Sequence, residues 1–317
     1  METFPLITIA GATGTGKSAL AMKLAENFGG EILSCDSTQV YRGMDIGTAK
    51  ATTHEQRRIK HYGLDLIEPH EMFDVVQFTD YARQVLFLRE KPLIAVGGSG
   101  FYLKALYGCV CDAIAISTFT RCSVEYIWET AGLAGLLAEL DRRHGYLVEE
   151  VDRKNPRRVR RALERCMESG QCLHEVREQF MQQKGPFASV KKITILLEDS
   201  TDDYDFRLQA RIQKMLEDGL IVETERLRRQ NFECNPSACR AVGYREVLAF
   251  LDGKISRDTL AENIFRRTKQ LVRKQRTWFR HQLPIDITLP HSQVHDVGAV
   301  VERIKNFTDI HKSIGMA

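Results

Sequence analysis

Two hydrophobic rhythms alternate along the N-terminal third of the chain. Leu6–Ala10 and Pro92–Val96 are short apolar runs of the kind that strands buried on both faces show. Glu31–Cys35 reads as a further strand that ends at Asp36. Between them, Ala19–Phe28 and Val76–Arg89 carry helical spacing, with Phe78, Tyr81, Ala82, Val85 and Leu86 on one face of the second. Phe101–Leu106 starts another helix after the loop Gly97-Gly98-Ser99-Gly100. Strand and helix repeated in this way predict a parallel sheet with helices on both faces.

The rhythm changes after Cys111. Glu125–Arg143, Pro156–Ser169 and Cys172–Gln183 all read as helices with no strand between them, and Gly185-Pro186 punctuates their end. A strand returns at Lys192–Leu197. Helical segments follow at Tyr204–Asp218, Ile221–Gln230, Tyr244–Asp252 and Ser256–Leu283, then a short strand at Ile285–Leu289 and a helix at Val294–Asn306. The expected fold is therefore α/β: a P-loop-type parallel sheet flanked by helices, built from residues 1–111 and 187–317, with a mainly helical insertion at 112–186.

Composition narrows the picture only slightly. The 317 residues are 43% hydrophobic, enough for a large core, and 45 basic against 42 acidic residues leave a formal charge of +3, so a polyanion partner must be argued from clustering. Eight cysteines include no C-x-x-C pair. Cys109/Cys111 and Cys234/Cys239 lack a completing histidine pattern for zinc, and free thiols in a reducing cytoplasm are the expectation. Acidic Glu2 followed at once by a core strand does not resemble a signal peptide, and no apolar run reaches the ~18 residues of a membrane span.

The chemistry begins at Gly11-Ala12-Thr13-Gly14-Thr15-Gly16-Lys17-Ser18, a full match to G-x-x-x-x-G-K-[ST] between a strand and a helix. Inward-turned amides of such a loop cradle a phosphate chain, Lys17 adds charge, and Ser18 would ligate Mg²⁺. Asp36 follows the second strand, at the end of the sheet where ligands lie. It reads either as a proton acceptor or Mg²⁺ holder, or as a helix N-cap. Ser99 stands at the same end and reads either as a ligand contact or as an N-cap. Ile193–Leu197 runs into Glu198-Asp199, a candidate magnesium carboxylate set aside because it follows the insertion. Basic residues cluster in three places. Arg157, Arg158, Arg160 and Arg161 open one helix. Arg240 and Arg245 flank Tyr244. Arg266, Arg267, Lys269, Arg273, Lys274, Arg276 and Arg280 lie on one long helix with Trp278 and no acidic residue between the first and last. Like charge repels itself, and arginines beside an aromatic ring suit an RNA loop.

In these residues the chain resembles the tRNA dimethylallyltransferase (tRNA isopentenyltransferase) family over nearly its whole length. The motifs that carry the resemblance are Gly11–Ser18, Asp36–Lys50 (DSTQVYRGMDIGTAK), Val96–Leu106 (VGGSGFYLKAL), Asn155–Glu164, Arg240–Arg245 and Arg273–Arg280. The resemblance implies transfer of a dimethylallyl group from dimethylallyl diphosphate to N6 of the adenosine 3′ of the anticodon (position 37) in tRNAs reading codons that begin with U. It implies that the loop Gly11, Ala12, Thr13, Gly14, Thr15, Gly16, Lys17 and Ser18 holds a prenyl diphosphate rather than ATP. Mg²⁺ on Ser18 and the charge of Lys17 would stabilise the leaving group. Asp36 aligns with the family's base, and Ser99 with a hydroxyl residue that is usually Thr. Contacts to the anticodon stem-loop would come from Asp36, Ser37, Thr38, Gln39, Arg42 and Ser99. Further contacts are implied for Arg157, Arg158, Val159, Arg160 and Arg161, and for Arg240, Ala241, Val242, Gly243, Tyr244 and Arg245. A last group comprises Arg273, Lys274, Gln275, Arg276, Thr277, Trp278, Phe279 and Arg280. The target base would be extruded, at an unstacking cost of a few kcal/mol. A cytoplasmic protein is expected; the sequence leaves the oligomeric state open, with a monomer as the default. Residues 107–150 match weakly: Cys109–Arg121 lacks the proline-rich stretch often seen there, and a C-terminal zinc finger of the eukaryotic kind is absent.

Three other functions would share parts of this pattern. An adenylate prenyltransferase has the same loop and donor but needs no basic surface. A small-molecule kinase would use ATP at the loop but predicts neither Asp36–Lys50 nor the tryptophan-bearing basic helix. A non-enzymatic RNA-binding protein would not keep Lys17-Ser18 together with Asp36.

Overall fold

The computed structural model describes residues 4–112, 114–144, 151–199 and 203–314; Glu2, noted above, lies outside them. In chain order, β1 (Leu6–Gly11), α1 (Lys17–Phe28), β2 (Glu31–Ser34), α2 (Thr53–Arg58), β3 (His61–Tyr62), α3 (Val75–Leu88), β4 (Leu93–Gly97) and α4 (Gly100–Ala105) form the first part. The helices α5 (Thr118–His144), α6 (Pro156–Ser169) and α7 (Leu173–Gln182) follow. The chain then returns through β5 (Lys192–Glu198), α8 (Tyr204–Glu217), α9 (Leu220–Arg229), α10 (Pro236–Cys239), α11 (Tyr244–Leu251), α12 (Arg257–Gln282), β6 (Ile287–Pro290) and α13 (Val297–Ile314). The chain divides into two compact units, Met1–Gly108 with Pro186–Ala317, and Cys109–Gly185.

Among the described residues, six strands of the first unit are ordered β3-β2-β4-β1-β5-β6, all parallel. Register pairs Ile9 with Val96 on one side and with Ile195 on the other, so β1 is central. Alternate residues Ile7, Ile9, Ile32, Ile94, Val96, Ile195, Leu197, Ile287 and Leu289 line one face, covered by Leu20 and Leu24 of α1 and by Val300 and Ile304 of α13. Every residue of β1 is buried, which is why its sequence is apolar apart from Thr8 rather than alternating. Burying each such side chain is worth roughly 1.5–3 kcal/mol.

Some expected boundaries shift for identifiable reasons. The last strand starts at Ile287 rather than Ile285, because the Asp286 carboxylate takes the Thr194 amide at 2.7 Å in place of a carbonyl. The helix expected from Val294 starts at Val297, after a 3₁₀ turn at His291–His295. The two-residue β3 and the short α2, which buries no side chain, carry too few residues for a periodic signal.

In the second unit α6 forms where its pattern predicts. Asn155 caps its start by accepting from the Arg158 amide at 3.3 Å, Pro156 takes the first turn, and Gly170 closes it in the left-handed conformation. Val159, Ala162, Leu163 and Cys166 share its buried face with Val124, Leu136 and Leu140 of α5. The helical stretch of α5 is interrupted at Gly132, where φ is 59° and ψ −153°.

Candidate active site

The strand order brings four loops to the carboxyl edge of the sheet: those after β1, β2, β4 and β5. After β1, Gly16 sits at φ 89° and ends the glycine loop as the N-cap of α1, with no side chain capping it and no acidic residue in the first turn. The amides at that helix start are therefore left for an anion. The loop is braced from three later elements. Gln275 of α12 accepts from the Thr13 amide at 3.0 Å and donates to the Gly98 carbonyl at 3.0 Å. Tyr204 of α8 donates its hydroxyl to the Thr13 carbonyl. His291 Nδ1 lies 3.2 Å from the Thr15 carbonyl. The Thr15 hydroxyl donates to the Ala12 carbonyl at 2.9 Å.

Lys17 Nζ is turned back onto the Ala12 carbonyl at 3.1 Å. Burial, partly offset by the Asp36 carboxylate and reinforced by the Arg211 guanidinium, pulls the ammonium of Lys17 down to about 8. Arg211, on α8, is itself lowered by burial and steadied by Asp36. Two cations and one carboxylate thus share a neighbourhood at the loop. Arg211 carries no signal in the sequence because it lies on an ordinary amphipathic helix outside every motif.

Asp36 does not cap a helix. Its Oδ1 accepts from the Thr38 amide at 2.9 Å and the Thr38 hydroxyl at 2.6 Å, closing a local turn. Ser99 occupies the N-cap position of α4 but makes no capping bond. Its hydroxyl instead accepts from the Ser37 amide at 2.8 Å and donates to Ser37 Oγ at 3.0 Å, joining the loops after β2 and β4. Gly97 makes that junction possible: a Cβ there would lie 2.0 Å from the Cys35 carbonyl oxygen. Gln39 is tied inward by Ser34 Oγ at 2.7 Å, and Arg42 donates to exposed Glu68 at 2.6 Å.

The acidic residue set aside after β5 is closer than its place in the chain suggested. Gly11 pairs with Leu197, so Asp199 lies beside the loop. Its side chain is fully buried and paired with Arg207, with His291 Nδ1 at 3.7 Å. It serves as an internal anchor for groups that brace the loop.

The basic segments divide. Val159, Tyr244 and Phe279 are buried to within 1% of full, so their side chains offer no surface to a macromolecule in this structure. Gln275 and Arg276 face inward, Arg276 donating to the Asp199 carbonyl above the Tyr204 ring. Trp278 packs against Gly100 and tilts over exposed Phe101 at 6.0 Å. Arg273, Lys274 and Thr277 are exposed on the outer face of α12. Acids from elsewhere meet several cations: Asp205 reaches Lys269 at 2.5 Å, and Glu198 reaches Arg280 at 2.8 Å. Within the second unit, Asp152 lies 3.5 Å from Arg158, Glu125 meets Arg160, and Glu164 lies 3.1 Å from Arg161. Arg157, Arg240 and Arg245 are exposed, Arg245 lying 3.4 Å from Glu246. Between Arg240 and Arg245, Ala241 and Val242 are half-buried and Gly243 is buried.

Among the described residues no cluster of three His, Cys, Asp or Glu could hold a metal. Ser18 is exposed at the first turn of α1. That donor set fits Mg²⁺, which keeps several waters and is held mostly by substrate phosphates. No described helix is long and apolar enough to cross a membrane.

Comparison with known proteins adds the following. The family model described as IPP transferase matches residues 39–282, and that described as isopentenyl transferase matches residues 5–68. A tRNA dimethylallyltransferase of Opitutus terrae is 40% identical over 300 residues, 94% of this chain and 96% of that one. Among solved structures, a tRNA isopentenylpyrophosphate transferase of Staphylococcus epidermidis is similar with TM-score 0.67 and 29% identity, over 96% of this chain and 99% of that one. A eukaryotic dimethylallyltransferase acting on tRNA is similar with TM-score 0.77 and 25% identity, over 91% of this chain and 74% of that one.

Proposed function

We propose a course for the reaction from one premise: the chain belongs to the IPP transferase family and is a tRNA dimethylallyltransferase. The donor is dimethylallyl diphosphate, held by Gly11–Ser18. The acceptor is N6 of the adenosine 3′ of the anticodon, in tRNAs reading codons that begin with U. N6 attacks the first carbon of the dimethylallyl group, the bond from that carbon to diphosphate oxygen breaks, and the proton of the alkylated nitrogen passes to Asp36. The amine is barely acidic before it attacks. The proton becomes labile as the C–N bond forms, when an ordinary carboxylate can take it. Lys17 and Arg211 offset charge gathering on the departing diphosphate. Mg²⁺, carried on the diphosphate and Ser18, would add Lewis-acid stabilisation of the same charge when bound.

The observation that carries this reading is the shared field of Lys17, Arg211 and Asp36 at an uncapped helix start. Cations there suit a diphosphate leaving group, and the carboxylate that shares their field suits a nucleophile that must lose a proton. The match to the isopentenyl transferase model covers only residues 5–68, the phosphate-loop end, whereas the IPP transferase match extends through α12. Incubating labelled dimethylallyl diphosphate and Mg²⁺ with such tRNA, and separately with AMP, tests the reading. N6-prenyladenosine should form in the tRNA and little product from AMP; equal transfer to AMP would make this a nucleotide prenyltransferase.

Arg273, exposed on α12, is assigned a phosphate of the anticodon stem-loop. Arg273→Ala should weaken tRNA binding and reduce the slope of log K against log salt by roughly 0.7–0.9. An unchanged slope across a salt titration would remove Arg273 from the phosphate contacts.

A further inference from the structure

The segment between β2 and α2 carries Asp36, Thr38, Gln39 and Arg42, yet it contains no helix or strand and makes one isolated bridge, Tyr41 to Ile67. Loops longer than about 12–15 residues are uncommon in compact domains unless something holds them for a purpose. Part of the hold centres on Lys50, within the loop and from Asp65 after β3. Lys50 is 8% exposed and donates to the Tyr41 carbonyl at 2.9 Å, to Asp45 at 2.6 Å and to Asp65 at 2.6 Å.

Ser99 ties the start of the loop and the 65–68 segment its middle; α9 and α11 hold its far end. Glu223 is 5% exposed, and its carboxylate accepts from the successive amides of Asp45 at 3.2 Å, Ile46 at 3.0 Å and Gly47 at 3.3 Å. It also accepts from the Tyr244 hydroxyl at 2.6 Å. Successive backbone amides form a concave anion site, filled here by a side chain of the protein itself. Burial, and next the Glu223 charge, hold the Tyr244 phenol well above its ordinary range, so it stays protonated and donating. One turn along α9, Arg226 donates to the Gly43 carbonyl at 2.8 Å. Gly47 lets the loop lie flat on the Tyr244 ring, since a Cβ there would come within 2.4 Å of it.

We propose that Glu223, supported by Arg226 and Tyr244, is a positioning residue that fixes the Asp36–Lys50 loop so that Asp36 faces the acceptor amine. This rests on the reading of Asp36 as the proton acceptor. Glu223 makes none of the hydrogen bonds that brace the phosphate loop, so donor binding should change far less than transfer.

The experiment is a pair of double-mutant cycles read by single-turnover transfer, with inorganic diphosphate affinity and thermal midpoint as controls. Glu223→Gln keeps the shape but points an amide donor at the loop's own donors. It should lower transfer by about ten- to a hundredfold and leave diphosphate affinity and midpoint near wild type. In an Asp36→Asn background the same substitution should cost little more, because the residue it positions is already disabled. Tyr244→Phe, which keeps the ring against Gly47, should give a smaller loss with the same pattern. Unchanged transfer in Glu223→Gln overturns the proposal, as do losses that multiply with Asp36→Asn or a matching fall in diphosphate affinity. If Asp36→Asn alone transfers normally, the base assignment fails and the positioning role with it; multiplying losses overturn the positioning role alone.

Discussion

Asp36→Asn is expected to lower single-turnover transfer by about 10²- to 10⁴-fold, the range of a general base, with tRNA affinity nearly unchanged. The substitution is chosen for what it keeps. Asn retains the Oδ1 that accepts from Thr38 N and Oγ1, so the local turn survives. It removes the negative charge and the capacity to take a proton. Asp36 also raises the proton affinity of Lys17 and Arg211, so part of the loss would be electrostatic. Donor affinity, measured alongside, separates the parts: a base acts after binding, whereas loss of the carboxylate's field also changes how the cations meet diphosphate. A large fall in tRNA affinity at full transfer rate would instead make Asp36 a recognition residue.

The second large effect is expected at Lys17. Lys17→Met keeps the aliphatic stem and removes the charge, and should reduce transfer by about 10²- to 10³-fold, as losing one preorganised stabiliser of developing negative charge does. Wild-type protein carries a related pH signature. Burial pulls the free ammonium down to about 8, and a bound diphosphate favours the charged form and raises it again. Binding above that pH must therefore take up a proton. Donor affinity should be full below about pH 8 and fall towards tenfold per pH unit above it. Lys17→Met should show weaker binding with that pH dependence gone. Calorimetric titration with diphosphate across pH 7–10 checks both, and a profile shared by wild type and variant would place the titrating group elsewhere.

The loop, the strands and α6 are legible because local rules decide them. Gly11–Ser18 has a fixed spacing, β1 is apolar apart from Thr8, and α6 has Asn155, Pro156 and Gly170 where a helix needs them. Contacts that join distant segments are not local and left little trace. Gln275 stands in a basic run and reads as part of an RNA surface, although it bridges Thr13 and Gly98. Phe279 and Tyr244 look like stacking aromatics beside arginines but fill the core. The basic runs appear unrelieved in sequence because the acids that meet them, Asp205, Glu198 and Glu125, lie on other elements. Asp199 follows the insertion in the chain, yet chain distance says nothing about which strand lies beside β1. The helix caps that are one of two readings for Asp36 and Ser99 give way to a turn and a loop-to-loop bond that only the folded sheet edge creates.

The place of β1 has a consequence for assembly of the chain during synthesis. Its register partner on one side, β5, begins at Lys192, and the groups bracing the loop that follows β1 come from Tyr204, Gln275 and His291. Emerging from the ribosome, β1 therefore waits for most of the polypeptide before that side is covered, as an apolar edge open to any passing strand. The phosphate loop acquires its last supports only when the final segments dock. A nascent chain of this protein is a hydrophobic liability before it is a catalyst, and the pairing of β1 with β5 ends the first condition and permits the second.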